Sequence, residues 1–281
     1  MITAASLPVL RAEVRAARDR GSTVGFVATM GALHEGHLSL VRRARRECGF
    51  SVVSVFVNPL QFSPNEDFAR YPRRSQEDAA LLEREGADLL YLPETGAFYP
   101  PGFSTSVEVA GVSEGGEGAV RPGHFRGVAT VVAKLFLQVQ PDTAFFGRKD
   151  LQQVAVIRRM ARDLDFPLRV EVCATVREPD GLALSSRNAY LSPEERRRAA
   201  LFPRALLAAK QRAAAGAADA PELERQTREE LERAGLTVDY VEVVDPESMA
   251  RLDRARPGAA IAAAVRLGST RLIDNVVLLD G

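Results

Sequence analysis

Ser51 to Val57 reads SVVSVFV, a continuous β-branched and apolar run of the kind expected for a strand covered on both faces. Comparable runs recur along the chain with amphipathic segments between them. Leu7, Leu10, Val14 and Ala17 share one face of a helix over 7–20, and Thr23 to Ala28 reads as a strand. Leu38, Val41, Ala44 and Cys48 then repeat at helical spacing. A helix from Ser75 to Glu85 is predicted behind an N-cap at Ser75, with Asp78 three residues on as a weak capping box. Asp88 to Leu92 is a third strand. Strand–helix–strand–helix–strand order implies a parallel sheet with right-handed crossovers.

Residues 93–126 read as loop-rich, with a Gly/Glu run at 114–118 and one short strand, Thr105–Val109. The alternation then resumes: helix Gly127–Gln140, strand Thr143–Phe146, helix Leu151–Asp163, strand Leu168–Cys173. Residues 1–187 are thus expected to form a Rossmann-like, doubly wound α/β domain. After Tyr190 the character changes to one long Ala- and Arg-rich helix, Pro193–Ala215, started by Ser192-Pro193. A second helix over 221–234 follows, then strands Val238–Val244, Ala260–Val265 and Leu272–Leu278. Residues 188–281 are expected to be a smaller α+β domain acting as a lid.

Bulk properties narrow the function classes. The 37 Lys+Arg balance the 37 Asp+Glu, which argues against a bulk nucleic-acid binder, and Arg42, Arg43, Arg45 and Arg46 read as a solvated helix face. Hydrophobic residues at 46% and charged residues at 26% are ordinary for a soluble globular chain. No apolar run reaches the roughly 18 residues of a membrane span, and no signal-peptide core precedes the first helix, so a cytoplasmic protein is expected. Cys48 and Cys173 have neither metal-site nor disulfide spacing and read as partly buried thiols.

The chemistry-bearing residues cluster where strands end. Met30-Gly31-Ala32-Leu33-His34-Glu35-Gly36-His37 lies between a strand and a helix. Its two imidazoles are three residues apart, on nearly the same side of a helix. Glycines without Cβ allow close approach to the backbone, and free N–H groups at a helix start favour phosphate. Imidazole N–H groups there could stabilise charge gathering on the oxygens of an attacked α-phosphate and on departing pyrophosphate. A zinc site lacks a third ligand at a recognisable spacing. Gly147-Arg148-Lys149-Asp150 follows a strand and opens a helix, with Lys149 as a point charge for phosphates. Gln152 and Gln153 could hold a small polar substrate or simply face solvent. Leu184-Ser185-Ser186-Arg187-Asn188 offers hydroxyls and a guanidinium to an anion, although a plain turn explains the serines equally well. Asn58 and Gln61 add neutral polar groups at the end of the second strand, and the clusters together read as one site on the sheet's edge.

Five blocks in series carry a family resemblance: TMGALHEGH at 29–37, FVNPLQF at 56–62, RPGHFRGVAT at 121–130, FGRKDLQQ at 146–153 and LSSRN at 184–188. In this order the chain resembles the pantothenate synthetases, or pantoate–β-alanine ligases, of the nucleotidyltransferase superfamily. The first block is similar to that superfamily's HIGH-type signature, and the last stands where relatives carry a KMSKS-like loop. The resemblance implies attack of pantoate on ATP to give pantoyl adenylate and pyrophosphate, then aminolysis by β-alanine to give pantothenate and AMP.

The same resemblance implies residue roles. His34 and His37 would contact ATP phosphates, with His37 as proton donor. Met30 and the Gly147–Asp150 turn would hold the nucleotide, Lys149 its phosphates, and Val176 the adenine side through its backbone. Ser185, Ser186 and Arg187 would close over the phosphates. Gln61 and Gln153 would bind pantoate, and Gln61 also β-alanine, with help from Asn58. Mg²⁺ is expected on the ATP phosphates, with Glu77 or Asp78 as its protein contact, although an acidic helix face explains both. A homodimer is implied too. Ala28 stands where the family usually has proline, and Arg148 where Glu is common; neither removes a group the chemistry needs. The rivals are a nucleotidyltransferase that leaves AMP on its product, disfavoured by the Gln61 and Gln153 pair, and a non-catalytic nucleotide sensor, which leaves the histidines and Lys149 without purpose.

Overall fold

The computed structural model describes residues 1–64 and 66–280, which fall into two compact units. The first unit comprises residues 1–109, 122–147 and 156–173; the second comprises 110–121, 148–155 and 174–281.

In the first unit the elements run β1 (Ile2–Ala4), α1 (Leu7–Asp19), β2 (Val24–Thr29), α2 (Glu35–Glu47), β3 (Phe50–Val55), α3 (Ser75–Arg84), β4 (Leu89–Tyr91) and α4 (Thr95–Phe98). After α5 (Gly116–Val120), which belongs to the second unit, come α6 (His124–Val139), β5 (Thr143–Gly147), α7 (Leu151–Asp163), whose first five residues are counted with the second unit, and β6 (Arg169–Cys173). All strand pairs are parallel, in the order β1-β4-β3-β2-β5-β6. Register explains why the strands are apolar throughout. Val27, Val53 and Leu90 line up across the sheet and share a core with Leu40 and Val41 of α2 and Leu82 of α3. Phe26, one residue from Val27, points to the opposite face, where it meets Phe136 of α6 edge-on at 6.4 Å. Helices therefore cover both faces, as the β-branched runs predict. The chain moves outward from β2 to β3 and β4, then returns to β2's other side with β5. The loop after β2 thus leaves the sheet where its direction reverses, the position at which open α/β sheets bind ligands.

The second unit is built on an antiparallel sheet of β7 (Thr237–Val244), β8 (Ala260–Leu267) and β9 (Thr270–Val277). α8 (Pro193–Ala199), α9 (Leu201–Ala214) and α10 (Ala220–Arg233) belong to the same unit. Phe202 and Leu206 of α9, Leu223 and Leu231 of α10, and Ile261 and Val265 of β8 share its core. Asp219 caps α10 through the Glu222 N–H at 2.8 Å.

The structure departs from the sequence expectations at several places. The expected single helix over 193–215 is two helices that meet at Ala200. Pro203 has no N–H for the Ala199 carbonyl and its ring crowds that turn, so the helical ladder restarts there. Thr105–Val109 is not paired as a strand; the Val107 N–H instead reaches the Thr130 hydroxyl at 2.9 Å. The Gly/Glu run read as loop contains the first residues of α5. Ser75 is the first residue of α3 and not its cap, because Arg74 occupies that position.

Candidate active site

The 29–37 loop begins at Thr29, whose hydroxyl donates to the Ser54 carbonyl at 2.8 Å and accepts from the Gly31 N–H at 3.2 Å. Gly31 adopts a φ of +82°, and a Cβ there would lie 2.9 Å from an Asp78 carboxylate oxygen. Glycine is needed on both counts. Asp78 itself reaches over from α3 and accepts from the backbone N–H groups of Ala32 (3.0 Å) and Leu33 (2.8 Å). Burial pushes its carboxyl above the ordinary range, against the pull of those two donors.

This corrects the capping-box reading of Asp78: it is not a helix-capping residue, and each of its buried oxygens accepts one backbone N–H of the 29–37 loop. Glu77 faces solvent beside Arg74, 3.4 Å away. Among the described residues no group of three His, Cys, Asp or Glu side chains could hold a metal ion. Asp78→Asn should turn one amide N–H against a backbone N–H and cost about 1–3 kcal/mol. Thermal melting, together with a raised KM for ATP, is the check; an unchanged melt would show that the loop does not depend on Asp78.

His34 stands at the N-cap of α2, and its carbonyl accepts from the N–H groups of His37 (2.8 Å) and Leu38 (3.1 Å). The His34 N–H in turn points at His37 Nδ1, 3.3 Å away, and the rings lie 4.0 Å apart between centroids. An Nδ1 that accepts leaves the proton of a neutral imidazole on Nε2. In the neutral ring the cap thereby favours the tautomer of His37 that carries its proton on Nε2. Glu35, included in the expected nucleotide set, turns its carboxylate onto Arg42 at 2.6 and 2.9 Å, and that bond lowers its pKa.

Asn58 and Gln61 frame the short 3₁₀ helix Pro59–Gln61 beyond β3. Asn58 is buried and fully used. Its Nδ2 donates to Gln61 Oε1 (3.0 Å) and the Gly127 carbonyl (3.1 Å), while its Oδ1 accepts from the Tyr99 hydroxyl (2.9 Å) and the Leu60 N–H (3.3 Å). Burial raises the Tyr99 pKa, keeping that hydroxyl a donor. Gln61 Nε2 lies 3.1 Å from Met30 Sδ, which joins the expected nucleotide and acid-binding residues within this unit. Thioether sulfur is a weak acceptor, so a carboxylate or hydroxyl oxygen would compete well for the same amide. His124 Nδ1 lies 2.9 Å from the Gln61 carbonyl. At Gly127 a Cβ would fall 2.1 Å from the Leu60 carbonyl oxygen. The roles of His124, Gly127 and Asp78 were not legible in the sequence; the only signal for the first two was the RPGHFRGVAT block itself.

In the second unit, Arg148–Asp150 form a single 3₁₀ turn, with Lys149 Nζ 3.6 Å from Asp150. At Gly147, the last residue of β5, nothing described comes within 4 Å of a Cβ position, so protein packing does not demand glycine there. The tandem amides separate cleanly. Gln152 is structural: Nε2 donates to the carbonyls of Val112 (3.0 Å) and Gly115 (2.9 Å), and Oε1 accepts from the Glu117 N–H (2.9 Å). Gln153 is half-buried and takes no part in that set.

The Leu184 N–H bonds to the Val176 carbonyl at 3.0 Å, closing the 176–184 segment. Ser185 accepts from the Arg187 N–H at 3.3 Å and caps the 3₁₀ helix Ser186–Tyr190. Asn188 anchors that loop to Glu178 (2.9 Å) and to the Ala183 carbonyl (3.1 Å), and Arg196 holds Glu178 and Asp180 at 2.6 and 2.5 Å. Arg177 forks onto Asp274 of β9 at 2.6 and 3.0 Å. With Asp274 almost wholly buried, removing the arginine alone would strand its charge at a cost of about 3–5 kcal/mol.

A parallel sheet with a histidine-capped helix at its switch point places the first unit among α/β folds of the kind that bind ligands at that edge. A sequence model described as "Pantoate-beta-alanine ligase" matches residues 3–277. "Pantothenate synthetase" of Paramagnetospirillum magneticum is 56% identical over 274 residues, covering 96% of this chain and 95% of the relative. The crystal structure of pantothenate synthetase from Thermus thermophilus superposes with a TM-score of 0.93 at 52% identity, covering 99% of this chain and 100% of that one. The Francisella tularensis ligase, complexed with beta-gamma ATP and beta-alanine, gives a TM-score of 0.83 at 33% identity, with coverage of 100% and 99%. The chain belongs to the pantoate–β-alanine ligase family, and it is a ligase. Among the described residues no helix is long and apolar enough to cross a membrane.

Proposed function

We propose that the ligation runs through a pantoyl adenylate. A carboxylate oxygen of pantoate attacks the α-phosphorus of ATP, and the bond to the β-phosphate oxygen breaks, releasing pyrophosphate. The amine of β-alanine then attacks the activated carbonyl; the C–O bond to AMP breaks and the amine's proton is lost. The observation that carries this reading is the His34–His37 cap, which favours an Nε2–H donor at a helix N-terminus. Such a donor stabilises growing phosphate charge more in the transition state than in the ground state, and it needs no prior reorganisation.

His34, His37, Lys149, Ser185, Ser186 and Arg187 serve the ATP phosphates, with Met30 and the Gly147–Asp150 turn on the nucleotide and Val176 on the adenine side. Gln61 and Gln153 hold pantoate, and Gln61 also takes β-alanine. Asn58 acts through Gln61, since all its own hydrogen bonds are to protein groups. Mg²⁺ arrives on the ATP phosphates as part of the substrate. The enzyme works in the cytoplasm as a homodimer.

Incubation with ATP, Mg²⁺, pantoate and β-alanine should release AMP only when all are present, and pyrophosphate whenever pantoate and ATP are. AMP release that ignores omission of pantoate or β-alanine would refute the ligation. Pyrophosphate release that required β-alanine would refute a free adenylate.

A further inference from the structure

β9 carries two adjacent buried polar side chains, Asp274 and Asn275, which are 2% and 4% exposed. Asn275 Nδ2 donates to two consecutive carbonyls, those of Arg148 and Lys149, each at 2.9 Å. Its neighbour Asp274 receives the fork of Arg177, whose guanidinium also reaches the carbonyls of Asn275 (3.3 Å) and Gly181 (3.0 Å). One dipeptide on the last strand therefore holds the backbone of the lysine turn on one side and the 177–181 segment on the other. We propose that Asn275 is a positioning residue for Lys149: by clamping the 148–149 backbone it sets where the ammonium meets the nucleotide phosphates. The inference rests on the reading above, in which Lys149 contacts ATP.

Three features favour positioning over simple packing. The amide has one admissible orientation, because its reverse would set an oxygen against two carbonyl oxygens. Asn275 Oδ1 is buried and meets no donor among the described residues. The amide bears that desolvation cost while its two N–H groups satisfy the consecutive carbonyls of the lysine turn, so its role lies in those two bonds. The Asp274 carboxylate also feels the Lys149 charge, which places the ammonium within electrostatic range of the same dipeptide.

The test is pantoate-dependent exchange of labelled pyrophosphate into ATP, with melting curves alongside. Asn275→Ala should lower kcat/KM for ATP about tenfold, equivalent to about 1.4 kcal/mol, and leave the KM for pantoate unchanged. Introduced into Lys149→Ala, the same change should cost nothing further, since residues that act through one another are not additive. Asn275→Asp keeps the volume but replaces the donors with oxygen, and should behave the same way if the alanine variant folds poorly. A penalty that persists undiminished in the Lys149→Ala background, or a KM for pantoate that rises in step, overturns the proposal. So does the failure of both Asn275 variants to fold, which would assign the residue to stability. Full activity in Lys149→Ala would remove Lys149 from the phosphates and this inference with it. An impaired Lys149→Ala beside a normal Asn275→Ala removes the inference alone.

Discussion

His37→Asn should lose most of its turnover while keeping its fold. The asparagine Oδ1 sits about as far along the side chain as the imidazole Nδ1, so it can still accept the His34 N–H that now closes the start of α2 at 3.3 Å. What it lacks is the Nε2–H beyond. If that donor acts on charge developing at the phosphates, kcat should fall by a factor of roughly 10² to 10³, or about 2.7–4 kcal/mol, as for loss of an oxyanion donor. ATP affinity, read by calorimetry, should change only a few-fold, because a group that works in the transition state contributes little to the ground state. His37→Ala should lose the cap as well and show a lower melting temperature in addition. An asparagine variant with normal kcat would remove His37 from the chemistry and leave it as a helix cap.

Gly127→Ala should produce the largest structural effect. The added methyl would fall 2.1 Å from the Leu60 carbonyl oxygen and 2.7 Å from Gln61 Cα, against backbone with no flexible end to move aside. Overpacking of this kind typically costs 1–3 kcal/mol, and a backbone clash belongs at or above the top of that range, about 3 kcal/mol. A fall of roughly 10 °C in melting temperature is expected. The surviving protein should also bind pantoate poorly. The Gly127 carbonyl is one of the two acceptors that orient Asn58, and Asn58 in turn holds the Gln61 amide. A variant with normal stability and a normal KM for pantoate would show that α6 can withdraw from the 3₁₀ helix at no cost.

The sheet was legible because its central strands are buried on both faces, and that condition writes an unbroken β-branched run into the chain, as at Phe50–Val55. β1 escaped notice: its three residues are too few for a pattern, and it is defined only by pairing with β4. Thr105–Val109 failed in the opposite sense, alternating like a strand while its Val107 N–H goes to a threonine hydroxyl. Local pattern records what the backbone could pair with, not whether a neighbour is there. The same limit governs the site. The histidine pair and the basic turn announce themselves by composition and spacing. Asp78 does not, since its partners are backbone N–H groups 45 and 46 residues earlier that could serve any acceptor. Gln152 and Gln153 are indistinguishable as letters; only the carbonyls of Val112 and Gly115 commit the first to structure.

The dependence of the 29–37 loop on Asp78, and of Gln61 on Gly127, has a meaning for biosynthesis. A nascent chain that has just emitted its histidines holds the signature without the shape, because the groups that mould the loop have yet to be translated. At about 5–20 residues per second, the interval between His37 and Asp78 is on the order of a few seconds. Throughout that time the stretch is exposed polypeptide with no geometry for phosphate. A fragment ending before α3 should therefore fail to bind ATP even with every residue of its motif intact.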